Sequence, residues 1–230
     1  MRDIFRNRIE AGQLLAGKLM RYANQPNVIV LGLPRGGVPV AFGVAKALRV
    51  PLDVFVVRKL GTPGRRELAM GAIATGGVRV LNEEVVGELG IPMDVIDAVT
   101  AEEKQELKRR ELAYRGSYSE PEVRGKTVIL IDDGIATGST MRAAVRALNA
   151  QHPARSIVAV PTAAGSTYRE LRTEVDELVA LMTPERFYGV GEWYQDFSQT
   201  SDADVTDLLE RARSYSASPN VAGPAKTGGE

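Results

Sequence analysis

The stretch that most constrains the fold of this sequence is residues 127–140, Thr-Val-Ile-Leu-Ile-Asp-Asp-Gly-Ile-Ala-Thr-Gly-Ser-Thr. Its first part, Val128 to Ile131, is an unbroken aliphatic run, which is typical of a strand buried on both faces of a sheet. Asp132 and Asp133 follow at the predicted end of that strand, and Gly134 to Thr140 is rich in glycine and hydroxyl groups. From Met141 onward, apolar residues recur with helical spacing. The stretch therefore predicts a strand, an acidic pair, a tight loop and a helix.

Each part of this stretch has a chemical use. The N-terminus of a helix presents unpaired N–H groups, and a preceding loop of small residues lets the backbone close around an anion such as a phosphate monoester. Two adjacent carboxylates suit hydroxyl groups or a magnesium ion, because hard cations take oxygen ligands. A ligand that carries a phosphate close to hydroxyl groups, such as a ribose 5-phosphate, would match both features. An ordinary capped turn needs only one acidic or hydroxyl residue, whereas this stretch has several in order.

Two other loops follow predicted strands and carry ligand-like residues. Pro34-Arg35-Gly36-Gly37 follows the buried run Val28–Leu33, and Arg58-Lys59 follows the run Leu52–Val57 and leads into a predicted loop at Gly61–Glu67. Strands that alternate with helices predict a mainly parallel sheet in a three-layer α/β domain. Ligands in such sheets bind beyond the carboxyl ends of the strands. We therefore expect the three loops to form one composite site.

The motif Ile-Leu-Ile-Asp-Asp-Gly-Ile-Ala-Thr-Gly-Ser-Thr, residues 129–140, resembles the phosphoribosyl-pyrophosphate (PRPP) signature of the type I phosphoribosyltransferases. The resemblance implies their fold, a three-layer α/β structure around a mainly parallel sheet, with a small hood. It implies a Mg²⁺-dependent enzyme of nucleotide metabolism that transfers 5-phosphoribosyl from PRPP to a nitrogenous acceptor, a nucleobase or similar molecule, and releases pyrophosphate. The same fold also serves regulators that sense PRPP or nucleotides without turnover, and the sequence leaves this alternative open.

The resemblance also implies a role for each part of the site. Asp132 and Asp133 would hold the ribose hydroxyls close to the reacting carbon, and Mg²⁺ would reach these two carboxylates mainly through the ligand and water. Arg35 would stabilise charge on the leaving group, and its peptide bond with Pro34 is expected to be cis. The residues expected at the 5-phosphate are Gly134, Ile135, Ala136, Thr137, Gly138, Ser139 and Thr140. Those expected at the pyrophosphate are Arg35, Gly36, Gly37, Arg58 and Lys59.

The acceptor is expected under the hood, for which the N-terminal helix and residues 184–197 are the candidates. Trp193 and Tyr194 would stack on a heterocycle there, or else pack the last helix onto the body of the protein. Ala136 stands where family members that use 6-oxopurines usually carry an acid. This position disfavours a hypoxanthine or guanine enzyme without naming another acceptor.

Composition excludes several classes of function. Basic and acidic residues balance at 29 each, which argues against a broad nucleic-acid surface. The chain has no cysteine and one histidine, so disulfides are excluded and a zinc site is disfavoured. It shows neither a membrane-spanning apolar run nor a signal peptide, so we expect a cytoplasmic protein that does not bind membranes. Residues 1–215 are expected to form one phosphoribosyltransferase-like domain and 216–230 a disordered tail, with a homodimer left open.

Overall fold

The computed structural model describes residues 4–216, without the side chains at 66, 67, 215 and 216. The helices are α1 (Arg8–Leu19), α2 (Gly37–Leu48), α3 (Glu83–Leu89), α4 (Met93–Arg115), α5 (Ser139–Asn149), α6 (Gly165–Leu171) and α7 (Asp202–Ser216). The strands are β1 (Val28–Gly32), β2 (Leu52–Val54), β3 (Val57–Thr62), β4 (Arg65–Ala74), β5 (Val78–Leu81), β6 (Thr127–Ile131), β7 (Arg155–Thr162) and β8 (Glu177–Met182). The predicted tail begins at the last residue of α7, and 217–230 lie outside the described residues.

A five-stranded parallel sheet forms the centre of the fold, in the order β2-β1-β6-β7-β8. Side chains alternate along β6, so Val128 and Leu130 pack on one face with α5 and α6, while Ile129 and Ile131 pack on the other with α1, α2, α4 and α7. Both faces are therefore covered, which explains the unbroken apolar run. The three-layer α/β prediction is confirmed. No helix within the described range is long and apolar enough to cross a bilayer.

A second, antiparallel sheet of β3, β4 and β5 corrects the prediction of one strand at Leu52–Val57. β2 ends at Val54, and the chain then leaves the parallel sheet: Phe55 N–H still bonds to Gly32 O at 3.0 Å. Thr75 at the end of the small sheet bonds to both backbone groups of Val56. A continuous apolar run does not reveal such a change of partner, because both parts of it are buried.

The predicted loop at Gly61–Glu67 is instead the tip of the β3–β4 hairpin. Thr62 pairs with Arg65 across a two-residue turn, Pro63-Gly64, in which Gly64 has a φ of 75°. Proline followed by a glycine with positive φ is the signature of a type II turn. Register shifts on either side of Gly61 interrupt the regular pairing of β3 with β4 just before this turn. Strand pairing therefore continues through residues whose composition indicated a loop.

Candidate functional site

The two central strands β1 and β6 end side by side and bring two of the predicted loops together. Gly32 pairs with Ile131, and the N–H of Leu33 donates to Ile131 O at 2.8 Å. The segment Pro34–Gly37 therefore begins beside the acidic pair of Asp132 and Asp133. This proximity follows from the parallel register, as expected from the sequence.

The two glycines of this segment are required by its close approach to the acidic pair. A Cβ at Gly36 would lie 2.1 Å from Asp133 Oδ2, and one at Gly37 would lie 2.6 Å from the carbonyl oxygen of Ile131. No side chain fits at such distances, so glycine is the residue that lets the two segments pack. The N–H of Gly37 donates to Leu33 O at 3.0 Å and is already used within the fold. Packing is therefore the role that the structure shows for Gly37.

The acidic pair is partly buried and internally bonded. Asp132 Oδ1 accepts a hydrogen bond from the N–H of Asp133 at 2.8 Å. Burial, and next the nearby Asp133 carboxylate, raise the pKa of Asp132 well above its usual value. Burial also raises the pKa of Asp133, and Arg8 opposes this effect. Two adjacent carboxylates kept from water favour hydroxyl donors or a cation as their ligand.

The loop from Gly134 to Thr140 connects the acidic pair to α5. Gly138 has a φ of 74° and turns the chain into the helix. The Ala136 carbonyl accepts from Thr167 Oγ1 at 2.7 Å, and the Thr137 carbonyl accepts from Arg142 Nη1 at 3.1 Å. Exposed side chains in the loop are those of Ala136, Thr137, Ser139 and Thr140. The loop thus places exposed hydroxyl groups at a helix N-terminus, an arrangement that binds phosphate groups.

The basic pair Arg58-Lys59 divides between two surroundings. Lys59 Nζ lies 2.8 Å from Ser139 Oγ, at the start of α5. Arg58 Nε donates instead to Glu103 Oε2 of α4 at 2.7 Å. Successive side chains on a strand point to opposite faces, which separates the two residues. The structure therefore brings Lys59 to the loop predicted for the 5-phosphate and pairs Arg58 outside it.

Arg35 belongs to the Pro34–Gly37 segment, and its guanidinium lies near Asp202, the first residue of α7. The Pro34–Arg35 peptide is cis, as expected. Arg35 Nη1 is 3.8 Å from Asp202 Oδ1, the same oxygen that accepts a hydrogen bond from the Tyr114 hydroxyl at 2.9 Å. The arginine is partly exposed and its ion pair is long, so its guanidinium remains accessible to an anionic ligand.

Two segments distant in sequence meet over the acidic pair, and we call residues 4–8 together with 190–198 the hood. The bridge between Phe5 and Tyr194 joins them, with the N–H of Phe5 donating to Trp193 O at 2.9 Å. Trp193 and Tyr194 are each 6% exposed and pack with Phe5, and the Tyr194 hydroxyl donates to Asp133 O at 2.6 Å. Both aromatics are therefore packed residues, as in the packing alternative, and the partner that the structure shows for them is Phe5 at the N-terminal side of the hood. Their contribution to an acceptor pocket stays a prediction.

Arg8 is a site residue that sequence reasoning missed. Its Nε donates to Asp133 Oδ2 at 2.8 Å. In the sequence Arg6-Asn7-Arg8, no local pattern separates the two arginines, since both flank the asparagine that caps α1. Arg6 pairs with Glu10 on the surface, and only the three-dimensional fold shows that Arg8 reaches the acidic pair.

A family model for the phosphoribosyl transferase domain matches residues 64–191, more than half of the chain. The chain belongs to this family. The match includes the acidic pair and the loop after it. The Pro34–Gly37 segment, Lys59 and Arg8 lie outside the matched residues, and the structure places them beside the matched acidic pair and loop.

Relatives of this chain include a solved structure and two curated proteins. TT1426 from Thermus thermophilus is 38% identical, with a TM-score of 0.82 over 90% of this chain and 98% of that one. "Putative phosphoribosyl transferase Rv0571c" of Mycobacterium tuberculosis is 44% identical over 209 residues, 91% of this chain and 47% of that protein. The chain thus spans about half the length of the curated relatives it matches first. "Bifunctional protein PyrR" of Brevibacillus brevis is 30% identical over 90 residues, 37% of this chain and 50% of that protein.

Proposed function

We propose that this phosphoribosyl transferase moves the 5-phosphoribosyl group of PRPP to a nitrogenous acceptor, a nucleobase or similar molecule, and releases pyrophosphate. The observation that carries the proposal is the position of the acidic pair. Asp132 and Asp133 lie between the Pro34–Gly37 segment on one side and the loop from Gly134 on the other. A ribose held by the carboxylates could then place its 5-phosphate on one loop and its pyrophosphate on the other.

Each group of residues supports one part of the transfer. The loop and the first turn of α5 bind the 5-phosphate through hydroxyl and N–H groups, with Lys59 adding positive charge. Asp132 and Asp133 accept hydrogen bonds from the ribose hydroxyls, and their negative charge stabilises positive charge that develops at C1. Arg35 offsets the charge that grows on the departing pyrophosphate. Much of the rate enhancement comes from holding these groups in one geometry.

The donor set of the site fits a magnesium ion that is shared with the ligand. The two adjacent carboxylates offer oxygen atoms, the ligands that Mg²⁺ prefers. One of these oxygens, Asp133 Oδ2, already accepts a hydrogen bond from Arg8. Among the described side chains, no cluster of three metal-ligating residues occurs, so phosphate oxygens and water would complete the coordination. When bound, the ion neutralises charge on the leaving pyrophosphate.

Lys59 provides a test of the 5-phosphate assignment. We expect Lys59→Met to weaken binding of ribose 5-phosphate by about 10- to 100-fold, because hydrogen bonds to charged groups contribute about 1.5–3 kcal/mol. Arg58→Met should have a smaller effect, since Glu103 holds that guanidinium. Isothermal titration calorimetry on both variants measures the difference. Arg79→Met is the control, because Arg79 lies in the same small sheet and pairs with Asp97. An Arg58 effect equal to or larger than the Lys59 effect would contradict the assignment.

The proposed activity is tested by measuring pyrophosphate release from PRPP and Mg²⁺ with a panel of nucleobases and related nitrogen heterocycles. Sustained release that depends on one acceptor supports an enzyme. Tight binding of PRPP without release for any acceptor supports a sensor on the same fold. Absence of PRPP binding would refute both. Because Ala136 disfavours a hypoxanthine or guanine acceptor without naming another, the panel should include adenine and uracil as well as 6-oxopurines.

A further inference from the structure

Arg8 is held by three contacts at the first residue of α1. Its Nε donates to Asp133 Oδ2 at 2.8 Å, and its Nη1 donates to the carbonyl oxygen of Ser198 at 2.7 Å. The guanidinium carbon lies 3.9 Å from the centre of the Phe197 ring, a cation–π distance. The side chain is only 11% exposed. An arginine restrained in this way has a fixed position and lacks the freedom of a surface arginine.

The partner of Arg8 is one of the two carboxylates assigned to the ribose. Among the side chains that the structure describes, Arg8 is the only base paired with either carboxylate. It binds Oδ2, and no described side chain donates to Oδ1 of Asp133. One oxygen is therefore anchored while the other remains available to a ligand. The positive charge also offsets repulsion between the two adjacent carboxylates.

The hood holds the same aspartate a second time through its backbone. The Tyr194 hydroxyl donates to Asp133 O at 2.6 Å, and Tyr194 belongs to the bridge that joins the two hood segments. Asp196 N–H donates to Arg6 O at 2.9 Å, which extends this bridge toward Arg8. The hood therefore fixes both the main chain and the side chain of Asp133.

We propose that Arg8 is a positioning residue, which orients the Asp133 carboxylate so that it accepts a hydrogen bond from a ribose hydroxyl. This inference rests on the proposed function, because it requires that the acidic pair bind the sugar. It predicts a selective defect. Loss of Arg8 weakens the binding of ligands that carry the ribose hydroxyls and leaves the binding of inorganic phosphate nearly unchanged.

The experiment compares ribose 5-phosphate with inorganic phosphate on the full chain. Arg8→Ala should weaken the binding of ribose 5-phosphate about tenfold, which corresponds to the loss of one hydrogen bond to a charged group. It should change the affinity for inorganic phosphate less than about twofold. Arg8→Lys should recover part of the loss because it restores the charge and one donor. Arg6→Ala removes a neighbouring arginine that pairs with Glu10 on the surface, and it should leave both affinities unchanged.

A double-mutant cycle with Asp133→Asn separates positioning from general structural damage. If Arg8 acts through Asp133, Arg8→Ala should have little further effect in the Asp133→Asn background.

Equal losses of affinity for ribose 5-phosphate and phosphate, or no loss for either, would overturn the inference while leaving the proposed function intact. If the unmodified protein binds neither ribose 5-phosphate nor PRPP, the proposed function fails, and the inference fails with it. If Arg8→Ala does not fold, Arg8→Gln replaces it in the same comparison.

Discussion

The double variant Asp132→Asn, Asp133→Asn is expected to bind PRPP at least about 100-fold more weakly than the unmodified protein. Each carboxylate is assigned a charged hydrogen bond to a ribose hydroxyl, and two such bonds contribute about 3–6 kcal/mol together. The amides keep the shape of the side chains but lose the charge that the sugar and Mg²⁺ require. Transfer activity should fall below detection. Isothermal titration calorimetry with PRPP and Mg²⁺ measures the affinity.

This loss should occur without loss of the fold. Burial raises the pKa of both carboxyl groups, which means that their ionised forms are disfavoured in the folded protein. Replacing them with neutral amides removes this penalty but also removes the ion pair with Arg8, which can still donate to an amide oxygen at position 133, so the midpoint of thermal unfolding should stay close to that of the unmodified protein. Glu83→Gln with Glu84→Gln is the matched control, because this adjacent acidic pair is exposed at the start of α3. Unchanged PRPP affinity in the Asp132→Asn, Asp133→Asn variant would refute the proposed site.

The central strand and its loop could be predicted from sequence because their determinants are local. The run Val128–Ile131 is buried on both faces, and that burial requires the unbroken aliphatic pattern from which the strand was predicted. Parallel alternation of strands and helices then places the Pro34–Gly37 segment next to the acidic pair. These elements follow from periodicity and topology, so they needed no knowledge of long-range contacts.

The parts that sequence reasoning missed depend on partners distant in the chain. After Val54 the chain changes sheets, and its partner there is Thr75, which lies 19 positions further along and bonds to both backbone groups of Val56. The pairing of Arg8 with Asp133 spans 125 positions. The hairpin at Gly61–Glu67 is different, since Pro63-Gly64 is a recognisable turn signal that was outweighed by loop-like composition.

The second large effect is expected in stability, at the buried arginine that ends α4. The Arg115 side chain is 2% exposed and bonds to Asp53 at 2.8 Å, to Glu111 at 3.2 Å and to the Val54 carbonyl at 2.6 Å. Removing one partner of a buried ion pair leaves unpaired charge out of water, which typically costs about 3–5 kcal/mol. We expect Arg115→Met to lower the free energy of unfolding by this amount, and the unfolding midpoint by about 10 °C.

Arg109→Met on the same helix is the control, because Arg109 is exposed and pairs with Glu106 at the surface, where ion pairs contribute about 0–1 kcal/mol. Urea denaturation followed by circular dichroism measures both variants. Adding Asp53→Asn and Glu111→Gln to Arg115→Met should recover part of the loss, since no unpaired carboxylate then remains buried. The contacts of Arg115 connect α4 to the edge strand β2. The neighbouring Tyr114 donates a hydrogen bond to Asp202, the residue that pairs with Arg35. If Arg115→Met lowers the free energy of unfolding no more than Arg109→Met does, the buried ion pairs of Arg115 do not stabilise the fold as expected.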